Sequence, residues 1–243
     1  MKKLLEKFIR LRNPQFAFSP DTEVRVLLLF VCAQLLHLLR GCRVLLYGRN
    51  PRMLLMGKNV SLFNTRKIMW GRFLRLGDGV LLSSMSKAGI TLGNNVSIGA
   101  YSRLVVCTSP QQACGFIRIG HSVGMGEFAY LGGTGGLEIG DECIIGQYFS
   151  CHPENHIISD PEQAIRFQGV TRKGIHIGKN CWIGSKVTIL DGVQLGEGCV
   201  IAAGAVVNSS FPPGSVIGGV PARLLRNRYV QDNEEAKLSR KAV

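Results

Sequence analysis

Two histidines, His152 and His156, stand four residues apart in Ser150-Cys-His-Pro-Glu-Asn-His, with Glu154 and Asn155 between them and Asp160 just beyond. A neutral imidazole takes up a proton near pH 7, so either ring can act as a general base toward a hydroxyl. Glu154, Asn155 or Asp160 can orient such a ring. This chemistry suits acyl transfer from a thioester to an alcohol: the base removes the hydroxyl proton as oxygen attacks the carbonyl, and a nearby donor holds the oxyanion. Of the other histidines, His37 lies in an apolar N-terminal stretch. His121 and His176 lie in a periodic region, where a solvated ring is the ordinary expectation.

The elements that must position these residues announce themselves by a period of six. An aliphatic residue recurs at Ile177, Ile183, Ile189, Leu195 and Ile201; Gly usually follows it, and a small residue sits four places on. Six matches neither the helical period of 3.6 nor the strand period of 2. It matches a solenoid whose flat sides each take six residues, with the aliphatic residue inward and Gly or Asn at the corner. Three sides make a coil of about eighteen residues, and coil openings at Met56, Leu76, Leu92, Ile119, Ile139, Ile177 and Leu195 give about seven coils. The period lapses near Cys107 to Gly115 and again over about 152–174, where Pro153, Pro161 and Gly169 fall. Loops carried on a rigid scaffold commonly hold function. The expected organisation is a helical extension over 1–52, an all-β solenoid over 53–221 and a C-terminal helix with a charged tail over 222–243.

The net charge is +13, with Lys and Arg throughout the chain, which calls for an anionic partner such as a phosphorylated cofactor or an acidic membrane surface. No nucleic-acid motif accompanies the charge, so no nucleic acid is expected. Cys143, Cys181 and Cys199 occupy the small inward position of the repeat and Cys151 the aliphatic one, as buried fillers would. No C-x-x-C pair occurs. Reduced thiols point to the cytoplasm. In residues 1–21, Leu4, Leu5, Phe8 and Leu11 share one helical face among Lys and Arg. A second helix follows, capped at Asp21 or Thr22 and apolar to Leu39 apart from Gln34 and His37. Its run of about fourteen is short of the ~20 residues that span a bilayer, and no signal-peptide cleavage site is suitably placed. It is expected to lie peripherally on the inner face of the cytoplasmic membrane or to cap the first coil.

The sixes, Trp182-Ile-Gly-Ser, Gly198-Cys-Val-Ile-Ala-Ala-Gly-Ala-Val-Val and the closing Gly218-Gly-Val-Pro-Ala-Arg resemble the hexapeptide-repeat O-acetyltransferases over roughly residues 56–228. The resemblance implies a left-handed parallel β-helix, acetyl-CoA as co-substrate with no metal, and a homotrimer acting on a sugar or lipid-linked glycan hydroxyl. It places the catalytic histidine at the head of the 152–174 loop; counting back from Trp182 favours His156, with His152 the alternative. Trp182, Ser185, Ala203 and Gly204 match positions along the pantetheine arm. Arg223 and Arg226 match positions near the CoA phosphates, with Arg228 a further candidate; guanidinium suits phosphate by forked hydrogen bonding. The chain departs from the pattern where relatives place an acceptor-binding Asn, since it reads Tyr130-Leu-Gly-Gly-Thr there; Tyr130 or Thr134 is the expected substitute. Asn208-Ser209 also replaces a Thr-Lys. The competing reading on the same scaffold is a zinc hydrolyase similar to the γ-carbonic anhydrases, with His121, His152 and His156 as three imidazole ligands.

Overall fold

The computed structural model describes residues 2–10, 15–19, 21–110 and 114–229. Two α-helices, α1 (Lys2–Arg10) and α2 (Val24–Gly41), precede the strands β1 (Leu55–Met56) to β24 (Ala222–Asn227), numbered in chain order. The strands form a first sheet of nine strands, a second of seven and a third of six. The chain visits the three in turn: β1, β4 and β7 belong to the first, β2, β5 and β8 to the second, β3, β6 and β9 to the third. Each strand pairs in parallel with its counterparts one coil before and after it, as Ile145 does with Met125 and Ile183. The three sheets are therefore the sides of one solenoid, with strands ~4.8 Å apart along its axis.

The repeat explains this arrangement residue by residue. Ile177, Ile183, Ile189, Leu195 and Ile201 are all buried, and they stack on the buried aliphatics of adjoining coils in one continuous core. Full burial of such a side chain is worth about 1.5–3 kcal/mol, an upper estimate on an extended-chain reference. Corners turn through left-handed backbone, as at Asn95 and Asn180. The inward corner cysteines are buried, at the repeat position that Val187, Val193 and Phe149 fill in other turns. The thiols of Cys143, Cys181 and Cys199 each donate to a backbone oxygen further along the chain: Gly178 at 3.2 Å, Gly196 at 3.4 Å and Pro212 at 3.3 Å. Burial pushes the Cys151 thiol far up. Contact with Cys143, before burial itself, pushes Cys181 up to about 11.

The interruptions all fall at the corner between the second and third sheets. There the chain leaves β14 (Ser150–His152), makes a two-stranded antiparallel hairpin of β15 (Asn155–His156) and β16 (Val170–Thr171), and re-enters at β17 (Ile175–Ile177).

At the N-terminal end a 3-10 turn, Cys42–Tyr47, follows α2 and buries Val44 under the first coil. The helix is fastened to the solenoid: Arg75 donates to the Gln34 side chain at 2.6 Å, Leu27 is buried, and a side chain at Gly41 would collide with the Leu54 carbonyl. The continuous helical stretch Val24–Tyr47 is 24 residues, long and apolar enough by length and composition to cross a membrane. The length judged from sequence was shorter because it stopped at Leu39, whereas the turns run on through Arg40 and Arg43.

The C-terminal end departs from the expected helix. Residues 222–227 form β24, which pairs antiparallel with β23 (Ser215–Gly219) at the end of the first sheet. Leu224, Leu225 and the arginines are compatible with helix, but β23 presents an unpaired edge. Gly219, in a conformation reserved for glycine (φ 99°), reverses the chain onto that edge. The tail from 230 onward lies outside the described residues.

Candidate active site

His152 is the last residue of β14, where alternation fixes its side: Cys151 points into the core, and Ser150 and His152 point out. Parallel pairing sets Ser150 beside Tyr130 of β11 (Tyr130–Gly132) and Thr188 of β19 (Thr188–Leu190), and His152 beside Leu190. The His152 ring stacks on Tyr130, with centroids 5.6 Å apart and planes at 23°. The hydroxyls of Ser150 and Thr188 share a hydrogen bond of 3.0 Å. One outward face of the second sheet thus gathers an imidazole, a phenol and two hydroxyls. Ser150 and Thr188 were not singled out from sequence, because the insertion between them hides their common place, one residue before the paired and buried Cys151 and Ile189.

His156 is exposed on the hairpin, opposite Val170. The other loop candidates have occupations of their own. The Glu154 carboxylate accepts from Arg172 Nε at 3.3 Å, so it pairs with a cation and not with either imidazole. Asp160 accepts the Glu162 N–H at 2.9 Å, and its own backbone bonds to the Gln168 amide. Asn155 contributes its backbone to the hairpin and Thr134 accepts from Cys114 through its carbonyl. The return of the loop is secured by Asp191, whose carboxylate accepts the N–H groups of Lys173 and Gly174 at 2.8 Å each and the Thr171 hydroxyl at 3.3 Å. No sequence signal distinguished Asp191 from an ordinary corner aspartate.

The second group lies on the first sheet. Trp182 opens β18 (Trp182–Ile183), and its ring is 59% exposed although its strand neighbour Ile183 is buried. Register aligns Trp182 with Val200 of β21 (Val200–Ile201), Val200 with Val216, and Val216 with Arg226. Three strand steps of ~4.8 Å carry this outward stripe roughly 14 Å from the strand of Trp182 to that of Arg226. Ser185, Ala203 and Gly204 lie at the corner between the first and second sheets. Ser185 Oγ donates to Gln147 at 2.8 Å. Gly204 has φ 74° and only open space above its α-carbon, so backbone lies bare to a ligand. Arg223 pairs across from Gly218 and donates to the Ala222 carbonyl at 2.9 Å; Arg228 donates to the Gly198 carbonyl at 3.3 Å. A stripe with an aromatic ring at one end, exposed backbone midway and a guanidinium at the other fits an extended thiol arm ending in phosphates.

Within one chain, the histidines and this stripe do not meet. His152 faces outward from the second sheet and Trp182 from the first, and the outward faces of adjoining prism sides diverge. His121 is elsewhere again, at the corner between the third and first sheets, where its Nδ1 accepts the Asn94 N–H at 3.0 Å and its own N–H reaches Asp141. Among the described residues no three His, Cys, Asp or Glu side chains gather as metal ligands do.

Comparison with known proteins bears on the same elements. Residues 174–209 match the bacterial transferase hexapeptide (six repeats) family. The chain is 32% identical over 156 residues to a "Probable acetyltransferase" of Mycobacterium tuberculosis, covering 64% of this chain and 50% of that protein. It is 29% identical over 135 residues to an Escherichia coli K12 protein named for lipopolysaccharide biosynthesis O-acetyl transfer, covering 53% and 67%. The chain thus spans about half the length of the first of these relatives. Its fold is similar to that of a Bacillus cereus N-acyltransferase solved in complex with dTDP and coenzyme A, at TM-score 0.50 and 22% identity, covering 77% of this chain and 92% of that one.

Proposed function

We propose that this chain, whose repeats are similar in sequence to those of hexapeptide-repeat acetyltransferases, transfers an acetyl group from acetyl-CoA to a sugar hydroxyl of a surface polysaccharide, lipopolysaccharide or lipid-linked precursor. The reading carries with it a left-handed coil and a homotrimer. The observation that supports it best is the division of labour between two outward faces: a stripe fit for the donor on the first sheet, and an imidazole with hydroxyl neighbours on the second. Because these faces diverge on one chain, a complete site needs the first sheet of one copy against the second sheet of another.

The strand position favours His152 as the base over His156. A ring on a sheet strand, stacked against Tyr130, is held more firmly than one on an exposed hairpin. His152 accepts the acceptor hydroxyl proton as that oxygen bonds to the thioester carbonyl carbon. The Ser150–Thr188 hydroxyl pair on that face, with one O–H spent between them, leaves one O–H to donate to the oxyanion. When the carbon–sulfur bond breaks, the imidazolium returns the proton to the departing thiolate, and the ring is neutral again. Trp182, Ser185, Ala203 and Gly204 hold the thiol arm, and Arg226 and Arg223 face the phosphates. Tyr130 offers its ring to the sugar.

The test is purified protein with acetyl-CoA and a panel of nucleotide-sugars and lipid-linked glycans, reading thiol release and acetylated product together. Acetyl-ester formation on a sugar is the expected result. Turnover on amino-sugars alone, giving an amide, would contradict the O-acetyl reading; stoichiometric zinc with hydration activity would replace it.

A further inference from the structure

The net charge of +13 is concentrated in one part of the chain. Residues 24–77 contain ten Lys and Arg and not one Asp or Glu, whereas residues 78–229 contain eleven Lys and Arg against ten Asp and Glu. In space the cationic segment is α2, the 3-10 closing turn and the first coil. The ion pairs among the described residues all lie elsewhere. The arginines here bond to neutral oxygens: Arg43 to the Val60 carbonyl at 3.2 Å, Arg49 to that of Ile68 at 2.9 Å and Arg52 to that of Trp70 at 3.3 Å. Such bonds hold the guanidinium groups in place and leave their charge uncompensated.

The same end of the solenoid is apolar where a soluble repeat protein carries a polar cap. Leu46 is 84% exposed, and Leu45, Tyr47, Met53 and Phe63 are exposed around it. The outer side of α2 adds Leu28, Leu29 and Leu39. Exposed apolar surface rimmed by unpaired cations is complementary to one kind of partner, a bilayer leaflet whose headgroups are anionic.

We infer that the first coil, its closing turn and α2 form one docking surface for an anionic lipid bilayer, on which the protein lies without crossing. The helix is fastened to the solenoid at Leu27, Gln34 and Gly41, so it presents a side to the leaflet. The closing-turn leucines enter the headgroup boundary and the arginines meet phosphates. This docking involves no step of acetyl transfer and stands or falls separately from it; together they place the site near a lipid-linked acceptor.

The experiment floats the full chain with vesicles of phosphatidylcholine, with or without phosphatidylglycerol, across a salt series. Binding is expected only with phosphatidylglycerol and is expected to fall as salt rises. The double variant Leu46→Asp, Arg66→Glu, the second an exposed arginine of the first coil, is expected to bind about tenfold or more weakly, since each basic residue near such a surface contributes several-fold. His152→Ala is expected to float as the unaltered chain does. Lys58→Glu, a second charge reversal exposed on the first coil, is expected to bind several-fold more weakly, and thermal midpoints confirm that each variant is folded. Equal flotation on neutral vesicles, unchanged binding by the folded double variant or by folded Lys58→Glu, retention through salt and alkaline washing as a spanning helix gives, or equal competition by a nucleic-acid fragment would each overturn the inference.

Discussion

The stripe on the first sheet and the loop beyond the second sheet are built on different principles. Trp182, Val200, Val216 and Arg226 stand in register because backbone hydrogen bonds join their strands, and a buried neighbour anchors Trp182 from within. The 153–174 loop has a hairpin of two paired residues per strand, the Glu154–Arg172 pair and the Asp191 clamp. Most of its side chains are exposed. The first construction fixes geometry and the second leaves it adjustable. His152 lies at the boundary, on the last position that the scaffold still controls.

Replacing histidines gives the largest contrast. His152→Ala is expected to lower kcat by roughly 10²–10⁴, the range for loss of a general base, while His156→Ala loses less than about tenfold. The reverse result would move the chemistry onto the adjustable loop and break the comparison. Stability offers the next. Ile189 is fully buried between Cys151 and Val207 in the second sheet, so Ile189→Ala is expected to cost about 2–5 kcal/mol in denaturant unfolding. Ile158, 71% exposed on the loop, is expected to tolerate Ala within about 0.5 kcal/mol. Arg226→Ala is expected to raise the KM for acetyl-CoA about tenfold with kcat little changed, because a phosphate contact far from the reacting carbon serves ground and transition states alike. An unchanged KM would remove Arg226 from the stripe.

The smallest effect concerns pH and a surface cluster outside both regions. The hydrogen bond from Arg118 holds the Glu138 carboxyl below its ordinary value; burial opposes it, and His176 adds to the lowering. A depressed carboxylate stabilises the fold above its unfolded pKa, and that contribution is lost as pH falls through the lower, folded value. Because the pair is largely solvated, the loss is expected to be slight. Glu138→Gln is expected to flatten it in a series of thermal melts at acid pH.

Much of the fold was legible because a solenoid leaves its side chains little choice. Each six-residue side sends one aliphatic inward, and so Ile177 to Ile201 could be read as stacked coils. The buried corner cysteines followed from the same rule. The C-terminal strand was not legible, since Leu224 and Leu225 suit a helix equally well and only the exposed edge of β23 decides the matter. Nor was the divergence of the two faces. Counting residues from Trp182 back to the histidines measures distance along the chain, whereas the sheet to which each belongs depends on where every corner falls. Counting also could not weigh His152 on its strand against His156 on a hairpin, because the hairpin arises from pairing between residues 155–156 and 170–171.

The central claim is that a complete site takes one face from each of two copies, and mixed oligomers test it most directly. His152→Ala removes the base, and Gly204→Tyr fills the open space over the donor stripe. Each variant alone is expected to be inactive. Unfolded, mixed and reassembled together, they are expected to regain a measurable fraction of acetyl transfer, because some interfaces then join an intact second sheet to an intact first sheet. If folded, mixed oligomers of the two variants stay as inactive as either parent, each site is contained within a single chain and the account is wrong.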